Sequence, residues 1–363
     1  MNTNIDLQSK FYCLFTVISI SLHIALLSYY LKILKKLSIY KVYNFIKLAF
    51  GFYYSRLINK PVQTALPFFI SIEPTTSCNL RCPQCPSGLR EFTRPTGMLQ
   101  NQLFEKIILQ TKKHLHSLTF YFQGEPYLNP DFLKMVSFAN SQNIFTITST
   151  NAHYLTEENA KKTIESKLDK LIISVDGVTQ EVYEKYRIGG NYNKVIEGTK
   201  EILKQKKLLK STSPHIVWQF VVFKTNEHQI EAVKKLGKEL GVNEVKIKTA
   251  QIYDFENGHD LIPETEEYAR YKKNDSGKFE LKNKLLNQCW RMWQGCVITW
   301  DGKIVPCCFD KDAKYKLGNL EKDTFESIWF SESYNSFRRS ILKSRNQIDI
   351  CTNCTEGTKV YES

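Results

Sequence analysis

The distribution of its cysteines narrows what this chain can be more than any other feature. Of the ten in 363 residues, nine fall within 78–85, 289–308 and 351–354. Ten are too few for a disulfide scaffold of this length, and thiols gathered into short windows point to a bound metal or cluster. A hydrophobic content of 42% excludes intrinsic disorder, and the length suits two or three folded units.

From Phe68 to about Ile252, β-rich runs alternate with helix-period stretches. Strands are expected at 68–74, 117–123, 144–149, 170–175, 215–223 and 244–249, with helices at about 98–115, 130–142, 156–167, 191–210 and 226–240. Such alternation implies an α/β fold with parallel pairing and right-handed crossovers, either a doubly wound sheet or a barrel. In both, ligands gather at the C-terminal ends of the strands. From Tyr253 to Leu286 charge, Asn, Asp and Gly rise, which reads as a connector. The expected division is therefore 1–60, 61–252, 253–286 and 287–363.

Residues 11–31 contain no Asp, Glu, Lys or Arg and are long enough to cross a bilayer as a helix. Lys32, Lys35, Lys36 and Lys41 follow and only Lys10 closely precedes, so the positive-inside bias leaves the C-terminal bulk in the cytoplasm. A cleaved signal peptide fits worse, since no small-residue cleavage site follows. We read the stretch as a candidate membrane anchor; the competing reading is an apolar helix packed on the folded body. A second, amphipathic stretch, Tyr40 to Ile58, either lies on lipid or docks on the core. The net charge of +13 comes from 40 Lys and 10 Arg spread along the chain. Unclustered lysine reads as solvated surface, and no nucleic-acid partner is expected.

Cys78, Cys82 and Cys85 form a Cys-x3-Cys-x2-Cys run directly after the first expected strand. Three thiolates can hold three irons of a [4Fe-4S] cube and leave the fourth iron free for a small molecule, whereas electron-transfer ferredoxins fill every corner. Structural zinc more often uses paired Cys-x2-Cys elements with four ligands. In this the chain resembles the radical S-adenosylmethionine (SAM) enzymes, whose signature is this spacing at the end of the first strand of a partial (βα)6 barrel. Further elements follow in order at expected strand ends. Gln123-Gly124-Glu125-Pro126 resembles the family's Gly-Gly-Glu-Pro element, where main-chain groups hold the methionine amino group, with Gln123 in place of the first Gly. Ser149, Thr150 and Asn151 resemble its polar strand end. Ser174-Val175-Asp176-Gly177 and Tyr183-x3-Arg187 resemble elements of peptide-modifying members, in which the Ser and Arg contact the SAM carboxylate. Gln84 departs from the pattern, since the residue before the third cysteine is often aromatic and packs near the adenine. The resemblance implies SAM as cofactor, with Gly124, Glu125, Ser174 and Arg187 at its site. It also implies reductive cleavage to a 5'-deoxyadenosyl radical that abstracts hydrogen from the substrate.

Toward the C-terminus, Cys289-x12-Gly302-x4-Cys307, a long gap and Cys351-x2-Cys354 resemble the shortened SPASM, or twitch, extension of these enzymes. Leu317-Gly318-Asn319 and Ile328-Trp329 match its LGN and IW pattern. The resemblance implies one auxiliary [4Fe-4S] cluster on Cys289, Cys307, Cys351 and Cys354, hence two clusters in all, the second an electron relay. A four-thiolate zinc ribbon is the rival reading. Cys296 is then expected as a buried apolar residue. Cys308 stands where sulfatase-maturing relatives carry an Asp base, which counts against that activity.

The expected function is a cytoplasmic radical SAM oxidoreductase acting on a peptide or a small hydroxylated molecule, with a reducing partner such as flavodoxin or ferredoxin. The alternative is a membrane-tethered iron-sulfur electron carrier, for which Gly124-Glu125-Pro126, Ser174 and Arg187 would have no use. No general base stands out among Glu125, Asp176, Tyr186, Cys308 and Asp310.

Overall fold

The computed structural model describes residues 27–355. Strands β1 (Phe69–Ile72), β2 (Ser117–Thr119), β3 (Phe145–Thr150), β4 (Lys170–Ser174), β5 (His215–Val222) and β6 (Glu244–Thr249) stand side by side in sequence order, every pair parallel. All six fall on the expected runs. The crossovers are the helices Asn101–Thr111, Phe132–Ser141, Glu157–Glu165, Tyr192–Leu208 and Ile230–Leu240. Local chemistry sets their ends: the Thr156 and Asn191 side chains accept from the backbone N–H groups of Asn159 and Lys194, and Gly241 ends its helix at φ 85°. Sandwiched strands need nearly continuous apolar character, and β5 reads His-Ile-Val-Trp-Gln-Phe-Val-Val with Trp218 fully buried.

Two features depart from a barrel, a plain connector and a separate tail. Residues 253–286 carry a hairpin, β7 (Tyr271–Lys273) and β8 (Phe279–Leu281), over a small core of Phe223, Ala250, Ile252, Leu261, Ile262 and Tyr271. Tyr271 Oη accepts from Ile252 N (2.8 Å) and lies 2.9 Å from Asn353 Oδ1, which fastens this segment to the last cysteine pair. The second difference is in the sheet itself. Beyond β1 it continues through β9 (Gly295–Ile298), parallel to β1, then antiparallel β10 (Lys303–Val305) and β11 (Gly318–Asn319). An open barrel leaves β1 with an unpaired edge, and β9 covers it. At Gly295 a Cβ would lie 2.3 Å from Phe69 O, so the close approach of the two strands requires glycine.

Helix Ile39–Ile58 docks beneath this sheet. Lys41 Nζ donates to Asn143 O (2.7 Å), Asn44 exchanges hydrogen bonds with the Leu66 backbone, and Phe52 packs on Trp290 and Trp293. These partners precede or flank strand beginnings, so the helix sits at the N-terminal end of the sheet. Of the candidate anchor 11–31, residues 11–26 lie outside the described residues. Among the described residues no helix is long and apolar enough to cross a membrane.

Candidate active site and second thiol cluster

At the opposite end of the sheet, the loop after β1 carries the first three cysteines. Four long-range ties hold it. Glu125 N donates to Ser77 O (2.8 Å), Asn151 Nδ2 to Asn79 Oδ1 (2.8 Å) and Arg81 N to Ile188 O (2.9 Å). The fourth is a buried bidentate pair, in which Arg94 donates to Glu73 at 2.6 and 2.9 Å while Trp300 N also donates to Glu73. The loop borders a cavity of about 280 Å3 that Cys78, Cys82, Cys85, Gly124, Glu125, Ser174 and Arg187 all line, together with Ser149, Thr150 and Asn151. The three cysteines and the four residues expected at the SAM site therefore meet in one place. Burial pushes the Cys78 thiol up to about 12 and raises Cys82, which Arg187 Nη1, 3.8 Å from its sulfur, opposes. Metal ligation needs these thiols as thiolates, so binding there would release their protons.

Gly124 turns the chain at φ 75° against the cysteine loop; a Cβ there would lie 2.3 Å from Thr75 O and 2.7 Å from Ser77 O. Its N–H donates to Ser87 Oγ (2.9 Å). The Glu125 carboxylate is turned away from proton transfer: it accepts from Thr150 Oγ1, Asn151 N and Tyr127 N at 2.8, 2.8 and 3.3 Å, knotting the ends of β2 and β3. Burial lifts it to about 7 in spite of those bonds. Asp176 is likewise structural. It is fully buried, accepts from Val221 N (2.8 Å) and holds Arg187 Nε at 2.5 Å, which fixes the guanidinium beside Cys82. Asp310 is buried and accepts from Lys314 N and Tyr315 N. Three of the five candidate bases are thus committed to backbone. Tyr186 lines the cavity, stacked on Phe223 at 4.0 Å, with burial raising its hydroxyl.

Gln84, the departure from the aromatic pattern, bridges the cysteine loop to the connector. It accepts from Tyr253 N (2.9 Å) and contacts His259 Nε2 (3.3 Å). Beside it sits Lys311, which sequence reasoning missed. Its Nζ lies 4.6 Å over the Tyr253 ring, and burial lowers its pKa while the nearby Cys85 and Cys308 thiols oppose this. Lys311 lines both the cavity and an adjoining cleft of about 700 Å3. Its only sequence signal was its place four residues after Cys307.

Cys289, Cys307, Cys351 and Cys354 line one small enclosed cavity, closed by Met292, Phe309, Phe337 and Ile341, and neither Cys296 nor Cys308 reaches it. Burial raises the thiols of Cys289, to about 12, and of Cys307 and Cys351. Arg345, itself buried, puts Nη2 3.2 Å from Cys354 Sγ, a cation placed to offset thiolate charge. Cys296 is 3% exposed within β9 and packs in the main core. The seven thiols stand around two volumes, a donor set suited to iron-sulfur groups.

Residues 72–236 match the radical SAM superfamily and residues 289–355 an iron-sulfur cluster-binding domain, SPASM. The tungsten-containing aldehyde ferredoxin oxidoreductase cofactor-modifying protein of Pyrococcus furiosus is 27% identical over 315 residues, covering 79% of this chain and 87% of its own. Among solved structures, Streptococcus suis SuiB bound to S-adenosylmethionine superposes with a TM-score of 0.60 at 15% identity, over 82% of this chain and 76% of that one. For anSMEcpe with bound AdoMet the values are 0.59 and 17%, over 81% and 88%; for BtrN with AdoMet and 2-DOIA they are 0.51 and 19%, over 83% and 98%. The chain carries a radical SAM domain followed by a C-terminal SPASM iron-sulfur domain and is a radical SAM enzyme, its cofactors a [4Fe-4S] cluster and S-adenosylmethionine.

Proposed function

We propose that Cys78, Cys82 and Cys85 ligate the SAM-binding cluster, that Cys289, Cys307, Cys351 and Cys354 ligate one auxiliary [4Fe-4S] cluster, and that the enzyme carries out a net two-electron oxidation of its substrate. The observation that carries this reading is the sorting of the thiols: three line an open cavity with polar strand ends, and four of the other six among the described residues close around another. When bound, SAM with its cluster supplies hydrogen-atom abstraction from an unreactive C–H bond, and the auxiliary cluster takes up the second electron.

The chain's own residues do the positioning. The main chain at Gly124 and Glu125 faces the cavity for an amino group, and Ser174 and Arg187 face it for a carboxylate, with Asp176 holding the guanidinium in place. The stacked rings of Tyr186 and Phe223 keep water from one wall. Substrate enters through the 700 Å3 cleft, which meets the cavity at Gln84, Pro86 and Lys311. A C–H bond of a peptide or of a small hydroxylated molecule is the target, and a flavodoxin or ferredoxin the electron donor. Residues 11–31 would hold the catalytic body on the cytoplasmic side of the membrane.

The test is 5'-deoxyadenosine release by the anaerobically reconstituted, reduced protein. Cys82→Ala abolishes release; Cys351→Ala keeps uncoupled release, blocks product formation and lowers bound iron from about eight to about four per chain. Full turnover by Cys351→Ala refutes the relay.

A further inference from the structure

Helix Ile39–Ile58 has two apolar stripes, and only one is used. Leu48, Gly51, Phe52 and Ser55 are buried against the body. On the other side Ile39, Tyr43, Ile46, Phe50, Tyr53 and Leu57 recur at steps of four and three, with exposures of 91, 60, 59, 64, 64 and 81%. Leu27, Tyr30, Leu31 and Leu34 in the preceding helical stretch are exposed as well. Among the described residues, 15 of the 23 exposed large hydrophobics lie in 27–58. Scattered apolar residues on a surface need no explanation, but this concentration does.

We infer that this outward face is a docking surface for an anionic lipid bilayer. Charge selects the occupant. Residues 27–60 hold no Asp or Glu; of their cations Lys32, Lys36 and Lys41 donate to the body at Ser213, Ile144 O and Asn143 O, which leaves Lys35, Lys47, Arg56 and Lys60 at the surface. A second copy seated on the same face would bring only like charges together, without the acidic partners that a helical seam uses. The 26 residues that precede the described chain offer one acid, Asp6. Negative headgroups over an apolar interior answer both halves of the pattern. The cations are placed accordingly: Lys47 Nζ lies 5.7 Å over the Tyr43 ring, and the Arg56 guanidinium 5.9 Å over Tyr53, each apolar body beside a charged head. Because the helix sits at the N-terminal end of the sheet, a docked bilayer faces away from the cysteine loop and leaves the substrate cleft open to solvent.

The test uses the full reconstituted chain with vesicles of phosphatidylcholine alone or mixed with phosphatidylglycerol. Phe50→Trp adds a reporter at the centre of the face, read against the wild-type tryptophan emission with brominated acyl chains. Binding to the anionic vesicles that weakens in high salt, with the added emission quenched by bromine, is the expected result. Ile46→Glu with Phe50→Glu weakens vesicle binding about tenfold or more and leaves uncoupled SAM cleavage unchanged. Absent vesicle binding, equal binding to uncharged vesicles, or bound Phe50→Trp without added quenching overturns the proposal. So does a concentration-dependent dimer that the double variant dissolves, which would assign the face to a second copy.

Discussion

Replacing Gly124 by alanine tests how tightly the Gly-Glu-Pro turn is pressed against the cysteine loop. Two separate costs arise. Alanine at φ 75° costs about 1–2 kcal/mol relative to glycine. Its Cβ would also stand 2.3 Å from Thr75 O and 2.7 Å from Ser77 O, so the loop must withdraw by roughly 1 Å to reach ordinary contact. Overpacking of that kind adds about 1–3 kcal/mol. Gly189 supplies the control, since it has φ 76° and nothing within 4 Å of a built Cβ. Gly189→Ala therefore reports the backbone cost alone, and the difference between the two variants isolates the contact. Because Cys78 follows Ser77 directly, the displacement reaches the first thiol, and a misplacement of about 1 Å can cost a hundredfold in rate. The assay is urea denaturation of both variants alongside 5'-deoxyadenosine release. Gly124→Ala should be the less stable by about 1–3 kcal/mol and should cleave SAM far more slowly, while Gly189→Ala cleaves it normally. Equal stability and equal cleavage would show that the backbone approach is not what holds this turn.

Three further outcomes follow from other contacts. Arg94→Met leaves Glu73 charged and unpaired in a buried site and should cost about 3–5 kcal/mol, read as a fall in the urea midpoint; an unchanged midpoint refutes the bridge as a tie between the loop and Trp300. The buried ring of His114 has its pKa lowered from 6.5 to about 4 by desolvation, and its Nε2 lacks a hydrogen-bond partner. Between those pH values the unfolded chain binds a proton that the folded one refuses, so stability falls as pH drops through the window, by up to about 1 kcal/mol per pH unit. His114→Phe should flatten that part of the stability profile. Lys311→Met should raise the substrate KM about tenfold, the loss of one charge-assisted contact, with uncoupled SAM cleavage unaffected; a change in cleavage alone would place Lys311 with SAM rather than with the substrate.

How much of this was legible in the sequence depends on the range over which each feature is decided. The six parallel strands and five helices were readable because burial on both faces writes itself into short periods, and the cysteine spacing because three ligands must share one loop. Features settled by distant closure were not. Residues Gly295–Ile298 offer four residues of strand, and nothing local says that they pair with Phe69–Ile72, more than two hundred positions earlier. Glu125 and Asp176 stood among five possible bases of which none stood out, because an acid near a strand end is compatible with proton transfer or with structure; only the converging N–H groups of Asn151 and Val221 decide for structure. Gln84 read as a missing aromatic, whereas its partners Tyr253 and His259 come from a segment whose composition suggested mere connection. Lys311 is one of 40 lysines, and what sets it apart is the Tyr253 ring beneath it. Tyr40 to Ile58 shows why periodicity alone leaves such choices open. Both stripes of that helix repeat at steps of three and four, so the pattern fits a core-facing and an outward-facing helix equally, and the structure shows that it is both at once. A pattern read one residue at a time can say that a face is apolar; only the neighbours, or their lack of negative charge, say what should cover it.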